Sequence, residues 1–210
     1  MRVTIFGASG GTGRHLTDQS LEAGYEVVAV VRSPASITTV HERLTVVAAD
    51  VFDAGSLADA VTGADAVLSA LGARSRSDAV CAPAVRAIIA AMAAAGTRRI
   101  VAVSAAPVGP PDEHDTWSQR HIARPLLWRF LAEPYRDMAA MEDELRASDL
   151  DWTVLRPPRL TDKPATGRYR TAVGHNLRKG RFLSRADLAG AVLRSLDDPT
   201  TVRAAVAVAY

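Results

Sequence analysis

Cysteine is almost absent from this chain of 210 residues: Cys81 stands alone, which excludes an internal disulfide and any thiolate metal cluster. It reads as a small buried hydrophobe. Lysine is nearly as scarce, with only Lys163 and Lys179 among 25 basic residues, so almost every positive charge is an arginine and few lysine-dependent schemes are open. Long hydrophobic runs are missing too. Although 48% of the residues are apolar, no stretch approaches the ~20 needed to span a bilayer, and the first residues lack the basic-then-apolar order of an export signal. A cytoplasmic protein with no membrane partner is expected. His15, His41, His114, His121 and His175 show no ligand spacing with carboxylates or the cysteine, so no metal site is expected.

The 25 basic and 23 acidic residues are interspersed. The pI near 9.0 therefore reflects a small imbalance and no basic face, which gives no support to a nucleic-acid partner. No repeat, low-complexity tract or Pro/Gly/Ser-rich linker divides the chain, and one domain over residues 1–210 is expected.

What is present begins at residue 2. The β-branched run Arg2-Val3-Thr4-Ile5-Phe6 suits a buried parallel strand and leads into Gly7-Ala8-Ser9-Gly10-Gly11-Thr12-Gly13, after which Leu16 and Leu21 mark the inner face of a helix. Glycine at 7 permits a sharp turn, glycine at 10 and 11 lets backbone N–H groups approach a pyrophosphate, and glycine at 13 lets helix and strand pack closely. The helix N-terminus adds unpaired donors and a positive dipole end. Ser9 and Thr12 can add hydroxyls at the same place.

Further strands are expected at 26–31, 44–49, 66–71, 100–103, 151–155 and 202–208. Between them fall helices near 79–95, closed by Gly96, near 135–147 after Pro134, and from Ser184 to about 196. Ser56-Leu57-Ala58-Asp59 has the spacing of a capping box. The alternation implies an α/β fold, a doubly wound, mostly parallel sheet in three α/β/α layers. Residues 105–119 carry Pro107, Gly109, Pro110 and Pro111 after the fifth strand, where such sheets bind ligands, and form a candidate substrate lid. His114 and His121 lie in or near it. Trp117 and Trp128 are candidates for an aromatic wall, with core packing the alternative for Trp128 and Trp152.

Position 32, nineteen residues past Gly13, is arginine. An acid there would bind the ribose hydroxyl of NAD, whereas arginine suits the 2′-phosphate of NADP. Asp50, with Val51 beside it, is placed to meet the adenine; otherwise it is a solvated carboxylate at a strand end.

These stretches, together with Ala70-Leu71-Gly72, Val103-Ser104, the run from Leu150 to Pro158 and Ser184-Arg185-Ala186-Asp187, resemble the atypical short-chain dehydrogenase/reductases. The resemblance covers nearly the whole chain. It is to the NADPH-dependent flavin reductase and biliverdin-IXβ reductase group and its NmrA-like relatives, with a Rossmann-like fold. It implies that Leu71, Gly72 and Arg74 line the cofactor and that Pro157, Pro158 and Arg159 lie by the nicotinamide.

The departures matter as much. The wider superfamily uses a Tyr-x-x-x-Lys pair to move a proton, and none of Tyr25, Tyr135, Tyr169 and Tyr210 has a lysine four residues on. A hydroxyl pair after the fifth strand becomes Ser104-Ala105, leaving Ser104 as the candidate catalytic or positioning hydroxyl. Arg159 stands where biliverdin-reducing relatives carry histidine. Chemistry with little acid–base demand is thus expected: hydride transfer from NADPH to a flavin, quinone or tetrapyrrole, with FMN or FAD as substrate and not as a tightly bound cofactor. An NADP(H)-sensing regulatory protein is the alternative, and the missing pair argues against a sugar-nucleotide epimerase. A small planar substrate is the expected partner, and a monomer or weak homodimer the expected state.

Overall fold

The computed structural model describes residues 1–73, 75 and 78–210. In its first half, strands β1 (Arg2–Phe6), β2 (Glu26–Val31), β3 (Leu44–Ala48), β4 (Ala66–Ser69) and β5 (Arg99–Val103) alternate with helices α1 (Gly11–Glu22), α2 (Ala54–Val61) and α3 (Cys81–Ala95). The second half runs through α4 (Arg124–Phe130), α5 (Ala132–Ala147), β6 (Asp151–Arg156), β7 (Arg159–Thr161), β8 (Arg170–Val173), β9 (Phe182–Ser184), α6 (Arg185–Asp197) and β10 (Ala204–Ala209). The main sheet has the order β3-β2-β1-β4-β5-β6-β10-β8. All its pairings are parallel except β10 with β8, and β7 pairs with β9 in a small second sheet.

Period-two alternation divides the core into two layers. On β1, Val3 and Ile5 pack with Leu16, Leu188 and Val192 of α1 and α6, whereas Phe6 packs with Leu57, Ile88 and Leu145 of α2, α3 and α5. Thr4, on that second face, satisfies its buried hydroxyl by donating to the Ala60 carbonyl at 2.6 Å. Strand order departs from β1 in both directions, to β2 on one side and β4 on the other. The turn after β1 therefore sits at the switch point of the sheet, where open α/β sheets leave a crevice. No helix among the described residues is long and apolar enough to cross a membrane.

Three local expectations change. Asp53, not Ser56, caps α2, accepting from the Gly55 N–H at 3.0 Å; Ser56 instead bonds back to the Asp50 and Asp53 carbonyls. Helix α5 begins at Ala132, because Pro134 in the first turn has no N–H that the helix needs. The short strands β7, β8 and β9 were not expected, and β8 adds an antiparallel edge.

Asp187 ties this last region together. Its carboxylate accepts from the backbone N–H groups of Thr166 and Gly167 and from the Tyr210 hydroxyl at 2.6 Å, and its own N–H is capped by Ser184. Burial pushes its pKa up, but the hydrogen bonds from Tyr210, Thr166 and Gly167 outweigh burial and bring it down from 3.8 to about 2. A depressed carboxylate stabilises the fold above its unfolded pKa and loses that contribution as pH falls through the folded one. Asp187→Asn should therefore cost about 2 kcal/mol at pH 7, and the gap should close toward pH 2. Denaturant titrations of both proteins across that range check this; a gap that ignores pH would remove the charge from the account.

Candidate cofactor and substrate site

Every strand from β1 to β6 points its carboxyl end to one edge of the sheet, and the glycine turn, Arg32, Asp50, Leu71, Ser104 and Pro157 each follow one of those ends. Gly7 turns the chain with φ +78°. A Cβ there would lie 2.7 Å from the Ala70 carbonyl oxygen, and one on Gly13 would lie 2.0 Å from the Gly7 carbonyl oxygen, so the loops after β1 and β4 and the start of α1 are packed backbone to backbone. Gly10 caps α1 without a side chain to occupy the first N–H groups, and no acid stands in the first turn. Gly11 lies at the start of the helix beneath the side chain of Arg185. The hydroxyls of Ser9 and Thr12 take no partner among the described residues.

Around this turn, Arg32 follows β2, is exposed and makes no hydrogen bond or ion pair with the described residues. Asp50, beyond β3, is partly committed to its own loop, accepting from the Phe52 N–H at 3.0 Å. Val51 turns its side chain into the core, so only its backbone faces the edge. Leu71 is half-buried against the same core, and Gly72 is open, with nothing within 4 Å of a Cβ. Arg74 lies outside the described residues.

Beyond β5, β6 and β10 the edge opens into a cleft of about 860 Å³. Pro157, Pro158 and Arg159 line it, facing Ile122, Leu127 and Leu131 from the segment above. That segment continues beyond the 105–119 loop through a π-helical turn at Gln119–Ala123 and α4, and the loop itself contributes Ala105, Pro107, Asp115 and Gln119 to the wall. The Trp128 indole donates to the Pro107 carbonyl at 2.9 Å. The aromatics of the cleft are Tyr135 and Phe182; neither Trp117 nor Trp128 lines it. His114 stacks on His175 at 4.3 Å and His121 leans on Trp117, both away from the cleft. Burial pushes the Tyr135 phenol up, and the Tyr169 phenol rises for the same first reason. Both are the opposite of a tyrosine activated for proton transfer.

Ser104 does not present its hydroxyl to the cleft. It is buried and donates to Glu142 Oε1 at 2.8 Å. Glu142, from α5, is 1% exposed and also receives Arg156 Nε at 3.0 Å and Arg146 Nη2 at 2.5 Å. Arg156, whose side chain is 12% exposed, in turn lines the cleft. Ser104 is thus linked to the cleft through Glu142 and Arg156. The sequence reading missed Glu142, although its signal was present. On α5, Asp137 and Glu142 fall in phase with Tyr135, Met141 and Leu145 on the buried face, and Asp137 accepts the N–H groups of Val80, Cys81 and Ala82 at the start of α3.

The charge in the cleft is one-sided. Arg124, Arg156, Arg159 and Arg181 line it against the single carboxylate of Asp115. Arg124 donates to the Gly109 carbonyl and Arg156 is spent on Glu142, but Arg159 and Arg181 have no partner among the described residues. They are brought together by the pairing of Arg159 with Phe182 between β7 and β9. Among the described residues no group of three or more histidines, cysteines and carboxylates is placed to hold a metal ion.

A family model described as NAD(P)H-binding matches residues 7–199. The uncharacterized protein YwnB of Bacillus subtilis is 27% identical over 205 residues, covering 95% of this chain and 93% of its own. The uncharacterized protein Rv2047c of Mycobacterium tuberculosis is 39% identical over 105 residues, half of this chain, but the match spans only 12% of that protein's length. Among solved structures, a short-chain dehydrogenase/reductase from Veillonella parvula in complex with NADP superposes with a TM-score of 0.81 at 23% identity, covering all of this chain and 94% of that one. ChuY, described as an anaerobillin reductase from Escherichia coli O157:H7, superposes with a TM-score of 0.80 at 24% identity, covering 100% and 97%.

Proposed function

Because this chain belongs to the NAD(P)H-binding family, we propose that it is a reductase that uses NADPH to reduce a flat aromatic acceptor bearing an acidic group, such as a flavin nucleotide or a tetrapyrrole. The observation that carries this is the large apolar cleft at the carboxyl edge of the sheet with two guanidiniums at its wall, Arg159 and Arg181, that have no partner among the described residues. The edge also fits a dinucleotide: a cradle at Gly7 and Gly13 that any Cβ would fill, free N–H groups at the start of α1, and Arg32 where a 2′-phosphate would lie. The bound cofactor supplies hydride.

The chain's own residues bind, orient and dry. Gly11 and Thr12 offer backbone donors to the pyrophosphate, with Ser9 beside them, while the Gly10 N–H closes the turn onto the Gly7 carbonyl; Asp50 and Val51 lie toward the adenine, and Leu71 and Gly72 line the cofactor. Pro157 and Pro158 form a stiff floor, and Ile122, Leu127 and Leu131 exclude water from above. Ser104 holds Glu142 and, through it, Arg156. A flavin takes hydride at a ring nitrogen with little acid–base help, which suits a cleft whose one tyrosine is held neutral. The ChuY relationship supports a tetrapyrrole and the Veillonella complex supports NADP, each at the level of fold.

Purified protein should oxidise NADPH in the presence of FMN or a biliverdin-type tetrapyrrole, faster than with riboflavin, which lacks the phosphate. Arg32→Ala should raise the NADPH KM roughly tenfold to a hundredfold, the loss of a charge-assisted contact of ~1.5 to 3 kcal/mol, with NADH unchanged. Steady-state kinetics with both cofactors measure this. Tight NADPH binding with no acceptor-dependent oxidation across flavins, quinones and tetrapyrroles would turn the reading to a cofactor sensor.

A further inference from the structure

Resting on the reading that the glycine turn holds a dinucleotide, we propose that Arg185 grips its pyrophosphate, and that Asp162 holds this guanidinium in place until the anion displaces it. Arg185 is the first residue of α6, after the Ser184 cap. A cation there is opposed by the helix dipole, and acids are the favoured residues of a first turn. Its side chain crosses to the start of α1. A Cβ at Gly11 would meet its Cδ at 2.7 Å and its Nε at 2.8 Å. The space that a side chain at position 11 would take is therefore filled by the stem of Arg185, which lays the charged end beside the first turn of α1.

The guanidinium reaches the start of α1 from the start of α6, and Asp162 is the carboxylate that pairs with it. Arg185 Nη1 donates to Asp162 Oδ1 at 2.6 Å, with side chains 30% and 87% exposed. An ion pair that open to water contributes little to stability, so the fold gains little from holding it. Guanidinium N–H groups beyond Nη1 have no partner among the described residues. A pyrophosphate on the turn offers them charged, planar-matched acceptors, and one counter-ion replaces another.

Position separates this arginine from Arg32. Arg32 addresses a 2′-phosphate that only NADPH carries, whereas the pyrophosphate is common to NADPH and NADH. Calorimetric titration of wild type, Arg185→Ala and Asp162→Asn with each cofactor tests the assignment. Arg185→Ala should weaken both by the same factor, roughly tenfold or more. Asp162→Asn, which removes the competing carboxylate at an exposed site, should tighten both several-fold. Affinities of Arg185→Ala within twofold of wild type, or a loss confined to NADPH, would overturn the proposal while leaving the cofactor reading standing. Should Arg185→Ala not fold, Asp162→Asn decides, and unchanged affinities for both cofactors overturn it. Wild type that binds neither dinucleotide overturns the cofactor reading and the proposal together.

Discussion

Gly13→Ala should abolish dinucleotide binding and lower stability by roughly 3 kcal/mol or more. The methyl would stand 2.0 Å from the Gly7 carbonyl oxygen and 2.7 Å from its carbon, and both are backbone atoms with no rotamer to change. Gly7 has little room to retreat, since it is in a left-handed conformation beside the Ala70 carbonyl, where even a Cβ would stand 2.7 Å from the oxygen. Relief requires α1 to lift from β1, which uncovers Leu16 and Leu21 in the core. Gly72→Ala is the control: it lies on the same edge, with nothing within 4 Å and an ordinary backbone, and should leave stability within about 0.5 kcal/mol. Thermal unfolding of both variants and NADPH titration of Gly13→Ala measure the effect. A Gly13→Ala protein that melts and binds like wild type would mean that helix and turn do not meet as described.

The second large effect is expected at Glu142. Replacing it by leucine removes the carboxylate that answers Arg156 and Ser104 in a place water scarcely reaches. An unpaired buried charge costs about 3 to 5 kcal/mol, which for a chain of this size lowers the melting temperature by roughly 10 °C. Arg146 suffers less, because it also pairs with Asp143 at 2.6 Å near the surface. The double replacement Glu142→Leu with Arg156→Leu should recover much of the loss, since the penalty lies in the orphaned partner and not in the missing attraction. Activity should not recover with it: Arg156 lines the cleft, and Gly109 is so close that a Cβ there would meet its Nη1 at 2.6 Å. Denaturant unfolding of the single and double variants is the check. A single-variant loss below about 1 kcal/mol would show that the pair is screened as a surface pair is.

The parts of the fold legible in the sequence are those written in local signals. The β-branched runs of β1 and β2 begin and end where the sequence places them, Gly96 closes α3 in the left-handed conformation, and Ser184 with Asp187 caps α6. The switch point follows from the alternation. What could not be read is what depends on contacts distant in sequence. β7 and β9 are three residues each, too short for a period, and exist by pairing across more than twenty positions. Apart from Arg146 one turn away, Glu142 finds its partners 14 and 38 residues away, and no spacing encodes either of those two. Arg185 was visible as part of a motif, but its reach to Gly11 belongs to the packing of α6 on α1.

The segment over the cleft is built unlike the rest of the molecule. No residue of α4 is buried, and the segment is tied down by a few polar contacts, Trp128 to Pro107, Arg124 to Gly109, and Asn176 to Asp112, Pro110 and Asp115. Raising it extracts nothing from either core layer, so the free energy of opening is a small part of that of unfolding. The molecule thus runs on two clocks. The sheet and its glycine turn hold their shape for as long as the protein stays folded, while the segment over the cleft is expected to move at the roughly microsecond-to-millisecond pace of a surface loop.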